Sequence, residues 1–153
     1  MHEAAIRRSR VLFGSGLFCA ESVLAAIAGE LGVECELIPR IASGLCSGLA
    51  RTGGPCGALS GSILALGMAV GRDSGEAPIE PTYELVRDVV GRFEARFGAT
   101  SCAQLVGCDL ATEEGQERFR ERNQHEACTE YVAEATRFAL EAIERVGSKK
   151  RQT

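Results

Sequence analysis

A chain of 153 residues, 45% hydrophobic and 25% charged, has the balance of one globular domain with a single buried core and not that of a disordered segment. Its formal net charge of −4 gives no electrostatic footprint for nucleic acid or an anionic membrane, and the short basic runs at 7–10 and 149–151 read as solvated ends. Neither a secretory signal nor a stretch of the ~20 apolar residues that a span needs is visible, so a cytoplasmic protein without a membrane span is expected.

Every long segment fits a helical period better than a strand period, and β-branched runs with strict alternation are missing. A first helix is predicted over Glu3 to Phe13, interrupted by Gly14 and Gly16. A second starts near Leu17 and runs through "LFCAESVLAAIAGEL" to a stop at Gly32. Pro39 suits the first turn of a third helix reaching about Ala50. Gly53, Gly54 and Pro55 break the chain before a fourth helix from Cys56 to about Gly71. That helix is nearly free of charge and rich in small residues, which places it in the middle of a bundle.

Beyond the loop "RDSGEAPIEP", Pro81 and Thr82 open a fifth helix that carries Leu85, Val86, Val89, Val90, Phe93 and Phe97 at amphipathic spacing and ends at Gly98. "ATSCAQLVG" reads as a short capped turn with Thr100 or Ser101 as N-cap. A last helix is predicted from about Thr112 to Val146. The expected architecture is all-α: a compact bundle of five to six helices around a small-residue central helix, one domain over 1–147 with a disordered tail at 148–153.

Seven cysteines are the outlying feature, at 19, 35, 46, 56, 102, 108 and 128. An odd count without an export signal argues against a secreted disulfide scaffold and leaves inert buried thiols, metal ligands or redox chemistry. Cys19, Cys56 and Cys102 all fall within a turn of a predicted helix start, where unpaired N–H groups and the helix dipole favour thiolate, the form that attacks and that binds metal. Gly53, Gly54 and Gly57 clear side chains from around Cys56 and free backbone N–H groups to face a negative charge or a bound group. The plainer alternative makes these glycines a tight turn and Cys56 a small core residue.

Cys128 lies three residues after His125, so the two share a helix face and His125 could ligate beside it or act as its base; a solvent-facing partner for Glu121 or Glu126 is the alternative. Cys35 and Cys46 read as packing residues, and Cys108 has no assigned role. No CxxC, CxxCH, dinucleotide or P-loop signature is present.

These residues carry a family likeness. The chain resembles the small proteins named for the cysteine pattern C_GCAxxG_C_C, described as redox-active on the strength of those cysteines. Phe13, Gly16, Cys19, Ala20, Val23 and Leu24 match its early helix, and "ASGLCSGLARTGGPCGALSG" matches its central signature through Ser43, Gly44, Gly48, Arg51, Gly53, Cys56, Gly57, Ala58 and Gly61. Phe97, Gly98, Cys102, Leu105 and Gly107 match the third cysteine's context, and Cys128 fits the fourth. The likeness covers roughly residues 3 to 145. Cys46 departs from the pattern, since a glycine or other small residue is common there.

The resemblance implies redox work by Cys19, Cys56, Cys102 and Cys128 without naming a substrate or electron partner. In the thiol–disulfide version Cys56 attacks and one of the other three resolves. A looser likeness to part of the split-Soret cytochromes, which carry an iron–sulfur centre and haem, implies the alternative of an iron–sulfur cluster or zinc on the same four thiolates. A third alternative is a non-catalytic helical interaction protein whose cysteines fill gaps. Gly57 and Gly61 leave open whether the central helix faces the same chain or a second copy in a homodimer.

Overall fold

In a computed structural model, which describes residues 1–151, the chain is all-helical: α1 (Glu3–Gly14), α2 (Cys19–Glu30), a 3-10 turn (Arg40–Leu45), α3 (Cys46–Arg51), α4 (Gly57–Val70), α5 (Glu80–Phe97), α6 (Cys102–Val106), α7 (Glu113–Glu121) and α8 (Gln124–Arg151). The one strand-like contact among the described residues is a lone antiparallel bridge between Pro55 and Ser101. α4 occupies the middle, packed on α2, α5 and α8, and its apolar surface all round is what allows it to be enclosed on several sides.

The elements start and stop for local reasons. Glu21 accepts from the Phe18 N–H at 3.0 Å and caps α2 at its start. Gly32 takes the left-handed conformation at the other end (φ 67°), and Val33 N–H reaches back to the Ala28 carbonyl at 2.9 Å. Gly98 closes α5 the same way. The N-cap of α6 is Ser101, whose hydroxyl accepts from Gln104 N–H at 3.2 Å, and Thr112 caps α7 by accepting from Gly115 N–H at 2.9 Å.

The core is built from Leu24 and Ile27 of α2, Leu59 and Leu66 of α4, Val89 and Phe93 of α5, and Val132, Phe138 and Leu140 of α8, all buried. Truncating a side chain such as Phe93, with no exposed surface, costs about 3–5 kcal/mol in comparable cores. The buried hydroxyls of Ser9, Ser22, Ser62 and Thr136 each donate to a carbonyl three or four residues back, so no buried side-chain polar atom among the described residues lacks a partner.

Three sequence expectations need correction. The predicted third helix through Ala50 is a 3-10 turn followed by α3, which is a left-handed turn: Ser47, Gly48, Leu49, Ala50 and Arg51 all have positive φ, from 54° to 69°. The single last helix is two, because Asn123 at φ 51° breaks the chain between α7 and α8. The count of five to six helices was therefore short. α8 also runs on to Arg151, four residues into the segment expected as a tail, while Gln152 and Thr153 lie outside the described residues.

Gly57 and Gly61 face α2 of the same chain. A Cβ on Gly61 would stand 2.5 Å from the Ala20 carbonyl oxygen and 2.9 Å from its Cα, so only glycine lets α4 approach α2 this closely. No helix among the described residues is long and apolar enough to cross a membrane.

Candidate functional site

The glycine-poor half of the signature places the first thiol. Cys19 opens α2, and its sulfur sits where a side chain on Gly57 would be: a Cβ there would lie 2.2 Å from Cys19 Sγ. The left-handed α3 turns its backbone toward the same point, and Ser47 N–H donates to Cys19 Sγ at 3.4 Å. Cys46, the residue before that turn, is buried; its single S–H has Glu21 Oε1 and the Ala42 carbonyl oxygen as alternative acceptors, each at 3.6 Å. Glu21 Oε2 in turn accepts from Ser43 Oγ at 3.0 Å.

Cys56 and Cys102 are brought side by side by backbone pairing. Cys56 N–H donates to the Thr100 carbonyl at 2.8 Å and Cys102 N–H to the Gly54 carbonyl at 2.7 Å, around the Pro55–Ser101 bridge. Gly48 is the seat for Cys102: a Cβ there would lie 2.4 Å from Cys102 Cβ and 3.2 Å from its sulfur. Thus Gly48 and Gly57 stand where Cys102 and Cys19 need space, and Gly53 and Gly54 serve the backbone pairing, with Ala103 and Leu49 as their neighbours.

One cavity of about 200 Å³ collects the four cysteines of the family pattern: Cys19 from α2, Cys56 at the start of α4, Cys102 from α6 and Cys128 from α8. Its remaining wall is mostly apolar, with Phe13, Phe18, Leu105, Val106, Leu110, Phe119 and Tyr131. The charged side chains on it are Arg51 and Arg120. His125 also lines it, with its ring flat on Phe13 (centroids 4.3 Å apart, planes 7° apart), which is a stacking position. Cys102 shares a neighbouring pocket with Cys108 and Asp109, and Cys35 is exposed on the connection after α2.

The four thiols are not electrostatically alike. Cys19 is held below the ordinary cysteine value, first because the Cys46 thiol donates to its sulfur, with the N–H groups of Ser47 and Ala20 adding to that against the opposing effect of burial. The same contact, together with burial, drives Cys46 far upward, which keeps it a neutral donor. Burial pushes Cys56 up to about 11 in spite of the Leu59 and Ala58 N–H groups at its helix start. Burial likewise raises Cys102, and it takes Cys128 to about 12, where the charges of Cys56, Cys102 and Cys108 add to the effect. A helix start alone therefore does not make a thiolate here; desolvation outweighs it at Cys56 and Cys102. Cys46, read from sequence as a packing residue, is a hydrogen-bonding partner of the site, and nothing local in "SGLCSGLAR" signals it.

A tetrahedral zinc site needs its sulfurs ~2.3 Å from one point. Among the described residues no three His, Cys, Asp or Glu side chains are gathered closely enough to hold a metal ion. The four thiols line one cavity.

No solved structure matches the chain. A protein of Archaeoglobus fulgidus, named only as an uncharacterized protein, is 28% identical over 151 residues, which is 92% of this chain and 94% of its own. The family model described as "Putative redox-active protein (C_GCAxxG_C_C)" matches residues 17–142, a span that takes in all four cavity cysteines and both glycine seats. The chain belongs to that family.

Proposed function

We propose that this chain is a thiol-based redox protein, a cysteine oxidoreductase or electron carrier whose thiols are worked from the apolar cavity, with Cys19 as the attacking thiolate. The observation that supports this most directly is the setting of Cys19: a sulfur on the cavity wall that receives the Ser47 N–H and lies in a glycine-made recess. Cys19 takes the attacking role that the sequence suggested for Cys56, because burial raises Cys56 while the contacts around Cys19 lower it. The other cavity thiols, Cys56, Cys102 and Cys128, stand as neutral neighbours with two-electron capacity in reserve.

The test is a thiol count in denaturant, before and after exposure of the reduced, oxygen-free protein to a small disulfide at neutral pH. A loss of thiols that is abolished in Cys19→Ser supports the reading. An unchanged count would refute it and leave the cysteines as core residues.

A second reading is favoured by one observation, that four thiols from four separate segments line one cavity. No three of the described ligand side chains are close enough for a single zinc ion, while the cavity of about 200 Å³ leaves room for an iron–sulfur cluster held by Cys19, Cys56, Cys102 and Cys128, which would supply one-electron transfer. Iron and acid-labile sulfide per chain after anaerobic purification test it; near-stoichiometric amounts favour the cluster, and their absence favours dithiol chemistry.

A further inference from the structure

Cys46 lies outside the four-cysteine family pattern and does not line the cavity, yet it is buried close to Cys19. One ideal Cβ position on Gly57 is 2.2 Å from Cys19 Sγ and 3.2 Å from Cys46 Cα, so the sulfur lies within roughly 5.4 Å of that Cα, the sum of the two. The amide that touches Cys19 Sγ belongs to Ser47, the next residue. Bridged cysteines have their Cα atoms ~4.4–6.8 Å apart, and a Cys19 sulfur this close to the Cys46 Cα is compatible with that range. The Cys46 thiol is in addition within 3.6 Å of a carboxylate oxygen, Glu21 Oε1.

We propose that Cys19 and Cys46 are the working dithiol pair of this chain, with Glu21 as the proton acceptor for Cys46, and that the pair reduces an anionic disulfide admitted to the cavity. The proposal rests on the thiol reading above and adds the resolving residue and the substrate class. The class follows from the wall: Arg51 and Arg120 line the cavity and no carboxylate does.

Cys19 thiolate attacks one sulfur of the substrate R–S–S–R. A Cys19–S–S–R bond forms, the substrate's own S–S bond breaks, and one R–S⁻ leaves with the electron pair. Cys46 S–H then gives its proton to the Glu21 carboxylate, and its sulfur attacks Cys19 Sγ from the side away from the cavity. The Cys19–Cys46 disulfide forms and the second R–S⁻ departs into the cavity. Two protein thiols are oxidised and one substrate disulfide is reduced to two thiols. A reducing dithiol, reacting in the reverse sense, regenerates the pair. Attack from behind suits exchange at sulfur, which needs the incoming and leaving sulfurs in line.

Reduced wild-type protein is mixed anaerobically with oxidised glutathione, quenched in acid, alkylated, and cut with trypsin and a glutamate-specific protease. Cuts after Arg10 and Glu21 separate Cys19 from Cys35, and cuts after Arg40 and Arg51 release Cys46. The expected product is a cross-link between residues 11–21 and 41–51. In Cys46→Ser the expected product is a stable glutathione adduct on Cys19, and in Glu21→Gln the same Cys19–Cys46 cross-link, now on residues 11–30 because the cut at 21 is lost, forming several-fold more slowly.

Cys19 bridged to Cys56, Cys102 or Cys128 in the wild type would overturn the pairing while leaving the thiol reading intact. No loss of thiols would overturn both. Substrate charge is tested by comparing oxidised glutathione with cystamine, each rate divided by that with a free small thiol. A several-fold preference for glutathione that shrinks with added salt supports the anionic class, and equal or reversed rates sink it. The cross-link map of the unmutated protein decides the pairing even if a Cys46 variant does not fold.

Discussion

Replacing Gly57 with alanine puts the packing argument at its sharpest. The new Cβ would stand 2.2 Å from Cys19 Sγ, 3.1 Å from the Leu45 carbonyl oxygen and 3.2 Å from Cys46 Cα. Normal contact between such atoms is ~3.5–4.0 Å, so the sulfur is more than an ångström too close and two backbone atoms close off the other sides. The cheapest response is rotation of the Cys19 side chain away from Ser47 N–H. Overpacking of this kind costs about 1–3 kcal/mol, and at the first position of α4 the helix-interior advantage of alanine over glycine offsets little of it, so a net loss of about 1–3 kcal/mol is expected. Cys19 should then lose donors and react several-fold more slowly with iodoacetamide near neutral pH, because fewer groups hold its sulfur as thiolate.

Two neighbours on the same helix separate the causes. Gly61→Ala meets the Ala20 backbone at 2.5 Å, which no rotamer can relieve, so it should cost more stability and slow Cys19 less. Gly67→Ala meets nothing within 4 Å and should stabilise by ~0.5–1 kcal/mol. Urea unfolding and site-resolved alkylation give both readouts. A Gly57→Ala protein with wild-type stability and wild-type Cys19 reactivity would refute the recess as the reason for that glycine.

The remaining thiols set a pH dependence. Burial holds Cys56 at about 11 and Cys128 at about 12, above the value of 9.0 expected of them in an unfolded chain, so the folded state keeps protons that the unfolded state gives up. Their contribution to stability is complete below pH ~9 and is lost as the pH climbs through the folded values; urea midpoints should fall between pH 8 and 11, less so in a Cys56→Ala/Cys128→Ala protein, and a rising midpoint would contradict the burial argument. Alkylation at pH 7 should mark Cys19 well before Cys56 or Cys128 among the cavity thiols, and peptide mapping showing Cys56 first would reverse the assignment of the nucleophile. At the break between α7 and α8, Asn123→Ala should cost ~1–2 kcal/mol while Asn123→Gly stays within a few tenths, because only the first forces a Cβ-bearing side chain without asparagine's tolerance into left-handed φ; equal denaturation midpoints would argue against that geometry.

Much of the scaffold was legible because its signals are local. The uncharged run after Cys56 reads as an enclosed helix, and Gly32 and Gly98 end helices for want of a Cβ. Three cysteines at predicted helix starts are found at helix starts. What was not legible depends on contacts between distant segments. Leu49, Ala50 and Arg51 are ordinary helix formers, and their positive φ is imposed by the packing of Gly48 against Cys102 and of Leu49 against Gly54. Asn123 sits among Glu, Arg and Gln residues that extend a helical pattern through it. Cys46 meets Cys19 across 27 positions of sequence, through a fold that no short motif encodes. The burial that reverses the thiolate preference at Cys56 is likewise a property of the assembled molecule.

The left-handed α3 turn has a consequence for how the protein fails. Four of its residues, Ser47, Leu49, Ala50 and Arg51, carry a Cβ in a conformation that costs ~1–2 kcal/mol each. That sum approaches a large part of the ~5–15 kcal/mol by which domains are stable, so the turn cannot exist ahead of its surroundings and must be clamped by α2, α4 and α6 together. When any clamp loosens, these residues relax toward ordinary φ, and the Ser47 amide and the Cys46 thiol leave Cys19 at the same moment. A damaged or partly opened molecule therefore disarms its own nucleophile, and the reactivity of one sulfur becomes a readout of whether the whole bundle is closed.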